Sequence, residues 1–334
     1  MERDRMSVKG LFCGLLILGT MSGAALFADF LSPYSPTRQH RAFPSMPPTG
    51  WNAVAAAGET TRVRYLVAGD EYLLFGLIPA QTHLFGAEEP GRVFLLGTDS
   101  LGRDLWSRLL HGAQQSLGIA AVSLLIALPL ALAIGGAAGY YGGTFDFAVM
   151  RAIELFLALP ALYLIIALRT ALPLDLEPKR VFLAMVAVIA FFGWAHLARL
   201  VRGLALSLRA REFVMAAIAT GAGDWRILTK HMLPHLQGFS LTQAALMAPG
   251  FILAEVTLSY LGLGVPEPLP SWGSMLSSAT STPALTLHWW NLAPIGAVFL
   301  VTFSFQLIAD GLKRRFESPD PEAGVDRTPD RIPL

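Results

Sequence analysis

The sequence predicts an all-α polytopic membrane protein with six transmembrane helices and a long outer segment after the first. Three observations predict it. Of 334 residues, 54% are hydrophobic and 15% are charged, and the mean hydropathy of +0.52 is too high for an ordinary soluble protein. The apolar residues gather in six runs, at about 11–31, 117–140, 147–172, 181–200, 239–263 and 292–312. Each is long enough, at about 1.5 Å rise per residue, to cross a hydrocarbon core of about 30 Å. Basic residues flank these runs rather than forming one arm, and a net charge of +1 gives no reason to expect nucleic-acid binding.

The first run follows a charged stretch, Met1 to Lys9. A secretory signal core has about 7–15 apolar residues, so a run of this length reads as an uncleaved first helix. The only cysteine, Cys13, excludes an intrachain disulfide and reads as a small buried thiol. Segment 1–31 is thus the N-terminus with helix one, and 32–112 is an outer loop. There Pro33, Pro36, Pro44, Pro47 and Pro48 enforce an extended path. Arg62 to Val67 and Tyr72 to Phe75 read as a hairpin turning at Ala68 to Glu71. Leu101, Leu105 and Leu109 recur four apart, the pattern of an amphipathic helix lying at the membrane surface before helix two.

Residues 113–316 hold the other five spans. Pro129 and Pro160 predict kinks, and in lipid the freed carbonyls need partners from neighbouring helices or water. Gly135, Gly136 and Gly139 read as a close-packing seam rather than a cofactor loop. Glu154 and Glu255 are costly inside a membrane, so each either faces a polar translocation path or is paired within the bundle. Residues 317–334, rich in Pro, Asp and Glu, read as a disordered tail. Arg5 and Lys9, the basic residues from Arg199 to Lys230, and Lys313 to Arg315 place both termini and the segment 203–235 on the cytoplasmic side.

That segment interrupts the apolar spans with a moderately polar, basic helical stretch. Ala217 and Gly221 fall four apart, on one helical face open to close approach by another surface. Gly221 and Gly223 break the helix, Asp224 is placed to cap a second one, and Pro234 is expected to end it. The elements Met215-Ala216-Ala217, Gly221 and Leu233-Pro234 resemble the Glu-Ala-Ala, Gly and Leu-Pro pattern of the coupling loop in ATP-binding-cassette importer permeases. Leu96 to Asp99, Leu101 to Asp104, Leu258 to Gly264, Pro270 to Gly273 and Asp310 to Leu312 widen the resemblance to the dipeptide, oligopeptide and nickel permeases, specifically the second permease of each pair.

The resemblance implies a type I importer permease fold in a bacterial inner membrane. It implies a second homologous permease, two ATPase subunits that use ATP and Mg, an extracytoplasmic solute-binding protein, and peptides as cargo. Glu212, Met215, Ala216, Ala217, Gly221, Asp224, Leu233 and Pro234 would form the coupling element. Met215 stands where the family carries Glu, so either Glu212 assists or the contact is mostly apolar. Against the family pattern, the region between Trp51 and Arg92 is extended, as an added outer cap would be.

The chemistry of an enzyme is missing from the sequence. There is no G-x-x-x-x-G-K-[ST] phosphate cradle, so nucleotide hydrolysis is assigned to other chains and no cofactor to this one. His231 and His235 have zinc-like spacing, but Pro234 interrupts them and no third ligand is near, so they are read as structural or docking residues. Asp99 and Asp104 read as caps or as partners of Arg103 and Arg108 rather than a general acid and base. The rival class is a membrane-embedded enzyme or signalling protein using Asp99, Asp104, Glu154 or Glu255; no nucleophile with a base, or metal-ligand set, can be assembled for it.

Overall fold

The computed structural model describes residues 2–55, 60–158, 160, 163, 166–167, 170–171, 177–280 and 288–316. Helix α1, Glu2–Leu26, is followed by a short turn, α2, Ala28–Leu31. The outer segment then forms two small sheets. Strands β1 (Asn52–Val54), β2 (Thr60–Arg62) and β5 (Arg92–Val93) form one in the order β2-β1-β5, and β3 (Arg64–Leu74) and β4 (Ile78–Gly86) form an antiparallel hairpin.

The helical body comprises α3 (Leu105–Tyr141), α4 (Gly143–Ala158), α5 (Pro178–Arg209), α6 (Glu212–Ala219) and α7 (Asp224–Arg226). A π-helical turn, Ile227–Met232, leads into α8 (Leu233–Tyr260), which is followed by α9 (Trp272–Thr280), a 3-10 turn (Trp289–Leu292) and α10 (Ala293–Phe316). Five stretches among the described residues are long and apolar enough to cross a membrane: Lys9–Leu26, Leu105–Tyr141, Pro178–Arg209, Asp224–Tyr260 and Trp289–Arg314. The expected span 147–172 coincides with α4 up to Ala158, and its remainder lies partly outside the described residues.

Two expectations for the outer segment are corrected. The hairpin turns at Phe75 to Leu77, and Gly69-Asp70 instead sits in a bulge of β3, where the register shifts between Ala68 and Tyr72. A bulge accepts the extra residue and bends the strand, so a Gly-Asp pair need not reverse the chain. There is no separate surface helix before the second span either. Leu105 and Leu109 form the first turns of α3, which runs unbroken for 37 residues. Asp104 starts it by accepting from the Ser107 backbone N–H at 2.9 Å and the Ser107 hydroxyl at 2.6 Å. Gly112 does not break it, and a Cβ there would lie 3.1 Å from the Trp272 ring.

Two large apolar clusters lie in the bundle. The one nearer the end of α1 joins Ile119, Met185, Ile189, Ile252, Trp272 and Val301. The other joins Ala131, Ile153, Leu197 and Val201 to Val214, Ile227, Met232 and Leu236. Helices α3 and α5 touch backbone to backbone, since a Cβ on Gly135 would lie 2.3 Å from the Ala198 carbonyl oxygen and one on Gly139 2.7 Å from that of Arg202. That is the seam expected of small residues in lipid. Helices α1 and α10 pair antiparallel through Gly14 with Ser304 and Leu11 with Gly311, so the start of α1 and the end of α10 share a side. Cys13 is exposed, not buried as expected, because neighbouring Gly14 is the residue turned towards α10 and Cys13 points about 100° away from it.

Candidate functional site: a coupling element and its outer counterpart

Arg211 begins α6 in an extended conformation, and α6 stops after two turns. Gly221 has φ +77°, a left-handed conformation that costs a residue with a Cβ about 1–2 kcal/mol. This reversal lets the Ala222 N–H return to the Ala217 carbonyl at 3.0 Å. Gly223, not Asp224, is the N-cap of α7. The Asp224 carboxylate is used elsewhere, accepting from the Tyr140 hydroxyl at 2.7 Å at the end of α3. Nor does Pro234 end the second helix. It occupies the first turn of α8, and the helical path continues from Asp224 to Tyr260. Pro lacks the N–H that would reach back one turn and its ring crowds that carbonyl; the wider π turn over Ile227–Met232 relieves both.

Burial sorts the predicted residues differently from their spacing. Ala217 faces inward with Val214, while Glu212, Met215 and Ala216 face outward. Gly221 lies beyond the end of α6 and a Cβ there would meet nothing within 4 Å, so Ala217 and Gly221 do not share an approach face. Large apolar side chains are exposed among the charges of Arg211, Glu212, Arg226 and Lys230: Met215 is 55% exposed, Ile218 43% and Trp225 78%. Leu233 is half-buried and Pro234 exposed. His235 stacks on Phe213 at 4.9 Å, its Nδ1 3.0 Å from the His231 carbonyl oxygen. Among the described residues no group of three or more potential metal ligands occurs.

The element is fixed to the bundle. Val214, Ala217, Ile227 and Met232 share one core cluster with α3, α4, α5 and α8. Beside it, Arg202 of α5 binds both carboxylate oxygens of Asp146 on α4, through Nε at 2.9 Å and through its second nitrogen. Glu154 lies further along α4, exposed and paired with Arg151 at 2.7 Å.

At the other side, the Gly-Thr-Asp and Gly-Arg-Asp motifs fold into a buried ion network. Arg103 binds Asp99 at 2.6 Å and Glu267 at 2.7 Å, and Arg108 binds the second Glu267 oxygen at 2.9 Å. Both guanidinium groups are buried while Glu267 remains about half exposed. Glu267 was not singled out in the sequence, although it stands between the Leu-Gly-Leu-Gly and Pro-Ser-Trp-Gly motifs. Burial pushes the Asp104 carboxyl up to about 6, against the lowering effect of its Ser107 bonds.

Glu255 is entirely covered by its own chain. It accepts from the Ser259 hydroxyl at 2.6 Å, with the Ser116 and Ser271 hydroxyls beside the same carboxyl group. The motif glycines make room: a Cβ on Gly264 would lie 1.9 Å from Ser259 Oγ, and one on Gly273 2.2 Å from the Val256 carbonyl oxygen. The other carboxylate oxygen of Glu255, Oε2, is buried without a hydrogen-bond partner among the described residues.

Comparison with known proteins agrees with this layout. Residues 117–318 match the model of the binding-protein-dependent transport system inner membrane component. The chain is 38% identical over 234 residues to the oligopeptide transport system permease protein OppC of Bacillus subtilis, covering 70% of this chain and 74% of that one. It is 32% identical over 314 residues to the dipeptide transport system permease protein DppC of the same organism, covering 94% and 82%. The corresponding OppC of Haemophilus influenzae is 37% identical over 67% of this chain and 70% of its own. With a bundle of membrane-length helices, a helical element turned outward between two of them, and a family match across most of that bundle, the chain belongs to the binding-protein-dependent transport system inner membrane components, multi-pass permease subunits of importers of the ATP-binding-cassette class with the type I fold.

Proposed function

We propose that this chain is one of two homologous permeases lining the path of a peptide importer in a bacterial inner membrane. Both termini face the cytoplasm, two ATPase subunits bind beneath, and an extracytoplasmic solute-binding protein delivers cargo. The coupling element is Glu212 to Pro234. One observation carries this assignment: an exposed apolar surface of Met215, Ile218 and Trp225 stands on an element whose reverse side is part of the bundle core. Exposed apolar patches of this kind mark protein contacts.

The contact is read as mostly apolar, with Glu212 at its edge, in place of one fixed by a carboxylate at position 215. Closure of the ATPase pair on ATP would then move the element with α3, α5 and α8 as one packed body. ATP and Mg serve the ATPase subunits, and this chain hydrolyses nothing, in keeping with the missing phosphate cradle. Glu255 is read as a brace inside the subunit, because a path between two permeases is lined by residues that each leaves exposed. Di- and oligopeptides are the proposed cargo, supported by the names of the relatives.

The test is to purify the tagged chain from native membranes in mild detergent and identify what stays bound. A second permease with Walker-containing ATPases is expected; a stable chain without an ATPase would overturn the reading. Uptake of labelled peptides, against nickel chelates in the same cells, then decides the cargo.

A further inference from the structure

The hairpin β3–β4 has a tip unlike that of a solvated turn. From Tyr72 to Ala80 the sequence is Tyr-Leu-Leu-Phe-Gly-Leu-Ile-Pro-Ala, nine residues without a charge. Leu73, Phe75, Leu77 and Ile78 are all exposed, Leu77 by 82%. Phe75 holds φ +55°, beside Gly76 at +71°. Hairpin turns that need positive φ ordinarily use Asn, Asp or Gly, and an aromatic residue there is strained. The sequence has therefore placed a large apolar group where local backbone energetics disfavour it.

The root of the hairpin fixes the direction in which that tip points. Asp70, in the β3 bulge, binds Arg38 at 2.6 Å and the Ser35 backbone N–H at 3.1 Å. His83 on β4 contacts the carbonyl oxygens of Ser32 at 2.5 Å and Asp29 at 3.0 Å, just beyond the membrane-length α1. The tip returns to an earlier residue: the Phe75 ring meets the Phe27 ring edge-on at 5.3 Å, immediately after α1 ends at Leu26. Along the hairpin from root to tip, the contacts thus step back along the chain from Ser32 to Phe27, towards the span. Leu26 and Phe27 are themselves exposed, so the tip continues the apolar outer surface of α1.

We propose that Leu73 to Ile78 is a membrane foot, seated among the lipids of the leaflet at the outer end of α1. Its occupant is the headgroup–acyl boundary, where aromatic and aliphatic side chains of interfacial segments sit about 5–10 Å deep. There the uncharged tip, the strained aromatic turn and the contact with Phe27 share one explanation. The foot holds the outer segment against the membrane at a second point besides α1, which limits how far the outer cap can lift or swing. This inference requires only that α1 spans the membrane, and it stands apart from the cargo and the ATPase assignment.

The test uses the full chain with its copurifying partners in lipid nanodiscs. Leu77→Cys in a Cys13→Ala background carries an environment-sensitive NBD fluorophore, with Glu88→Cys near the root as the reference. The probe at 77 is expected to lose most of its emission with nitroxide lipids labelled near the headgroup and to be spared by aqueous iodide, with the reverse at 88. Iodide quenching at 77 without lipid quenching would overturn the proposal. Protection from both quenchers would also overturn it, because a protein partner would then cover the tip. If Leu77→Cys fails to insert, Ile78→Cys carries the same probe with the same expectations.

Discussion

The ion network around Glu267 and the proposed coupling element use opposite chemistry. At the outer side, Arg103 and Arg108 are buried and satisfied by Asp99 and Glu267 within the same chain. At the coupling side, Met215, Ile218 and Trp225 are left exposed, while the charge of Asp224 is engaged by Tyr140. The difference teaches where each surface spends its interactions. Buried, self-paired charges fasten the subunit to itself, and breaking them destabilises the fold. Exposed apolar side chains add little to the subunit's own stability, and their burial free energy remains available to the proposed partner contact.

The largest expected effect tests the coupling side. Gly221→Glu should abolish uptake while the chain stays in the membrane at normal abundance, because it adds a charge and a strained Cβ at the turn that sets the element's shape. Gly221→Asn, which tolerates left-handed φ, should keep most of the uptake. Transport assays with immunoblots of membranes check both, and unchanged uptake by the Glu variant would remove Gly221 from the site.

Next comes the outer side. Glu267→Gln takes a shared carboxylate from two buried guanidinium groups and should cost about 2 kcal/mol, the scale of charge-assisted hydrogen bonds, read as a lower thermal midpoint in detergent. Tyr140→Phe removes one hydroxyl from Asp224 and should cost about 1 kcal/mol. Hydrogen exchange over 224–232 should quicken more than exchange over α1.

Trp225→Ala should move the stability of the isolated chain by less than about 0.5 kcal/mol while reducing ATPase copurification. A large loss of stability would mean that Trp225 serves the fold, and the contrast between the two sides would fail.

The smallest net effect is expected with pH, since two outer groups oppose one another. Burial lowers His40 from 6.5 to about 4, so the unfolded chain takes up a proton first and stability falls as pH drops through that window. Asp104 is raised from 3.8 to about 6, so the folded chain takes up its proton first and stability rises as pH drops from about 6 to 3.8. The terms offset in the parent chain. His40→Gln should unmask the Asp104 dependence, visible as a thermal midpoint higher at pH 4.5 than at pH 7, both pH values lying about on either side of its transition.

Much of the membrane body was legible because lipid allows few solutions: apolar length reads as helix, and small residues read as close packing, as at Gly135 and Gly139. The site was legible as a segment but not as a surface. Spacing grouped Ala217 with Gly221, yet only the fold shows that one packs inward and the other lies past the helix end. Asp224 looked like a cap because its competitor, the Tyr140 hydroxyl, is 84 positions away in the chain. Glu267 gave no local signal, since its value lies in two arginines more than 150 residues distant. The hairpin was misplaced because Gly69-Asp70 carries a stronger turn signal than the true turn at Phe75 to Leu77, where the lone Gly76 stands between apolar residues.

The length of α3 has a mechanical meaning. At about 1.5 Å per residue its 37 residues extend about 55 Å, well beyond the hydrocarbon core. Arg108 ties one end to Glu267, and Tyr140 holds Asp224 at the other. In the proposed assembly, a tilt imposed at an ATPase contact near Asp224 would appear at the other end of α3 as a displacement of the opposite sign, without a relay of side-chain rearrangements. Pro129 interrupts the hydrogen-bond ladder within this strut and is the natural place for it to yield. Stiffness there, as much as affinity at either end, would then set how much of the proposed ATPase stroke crosses the bundle.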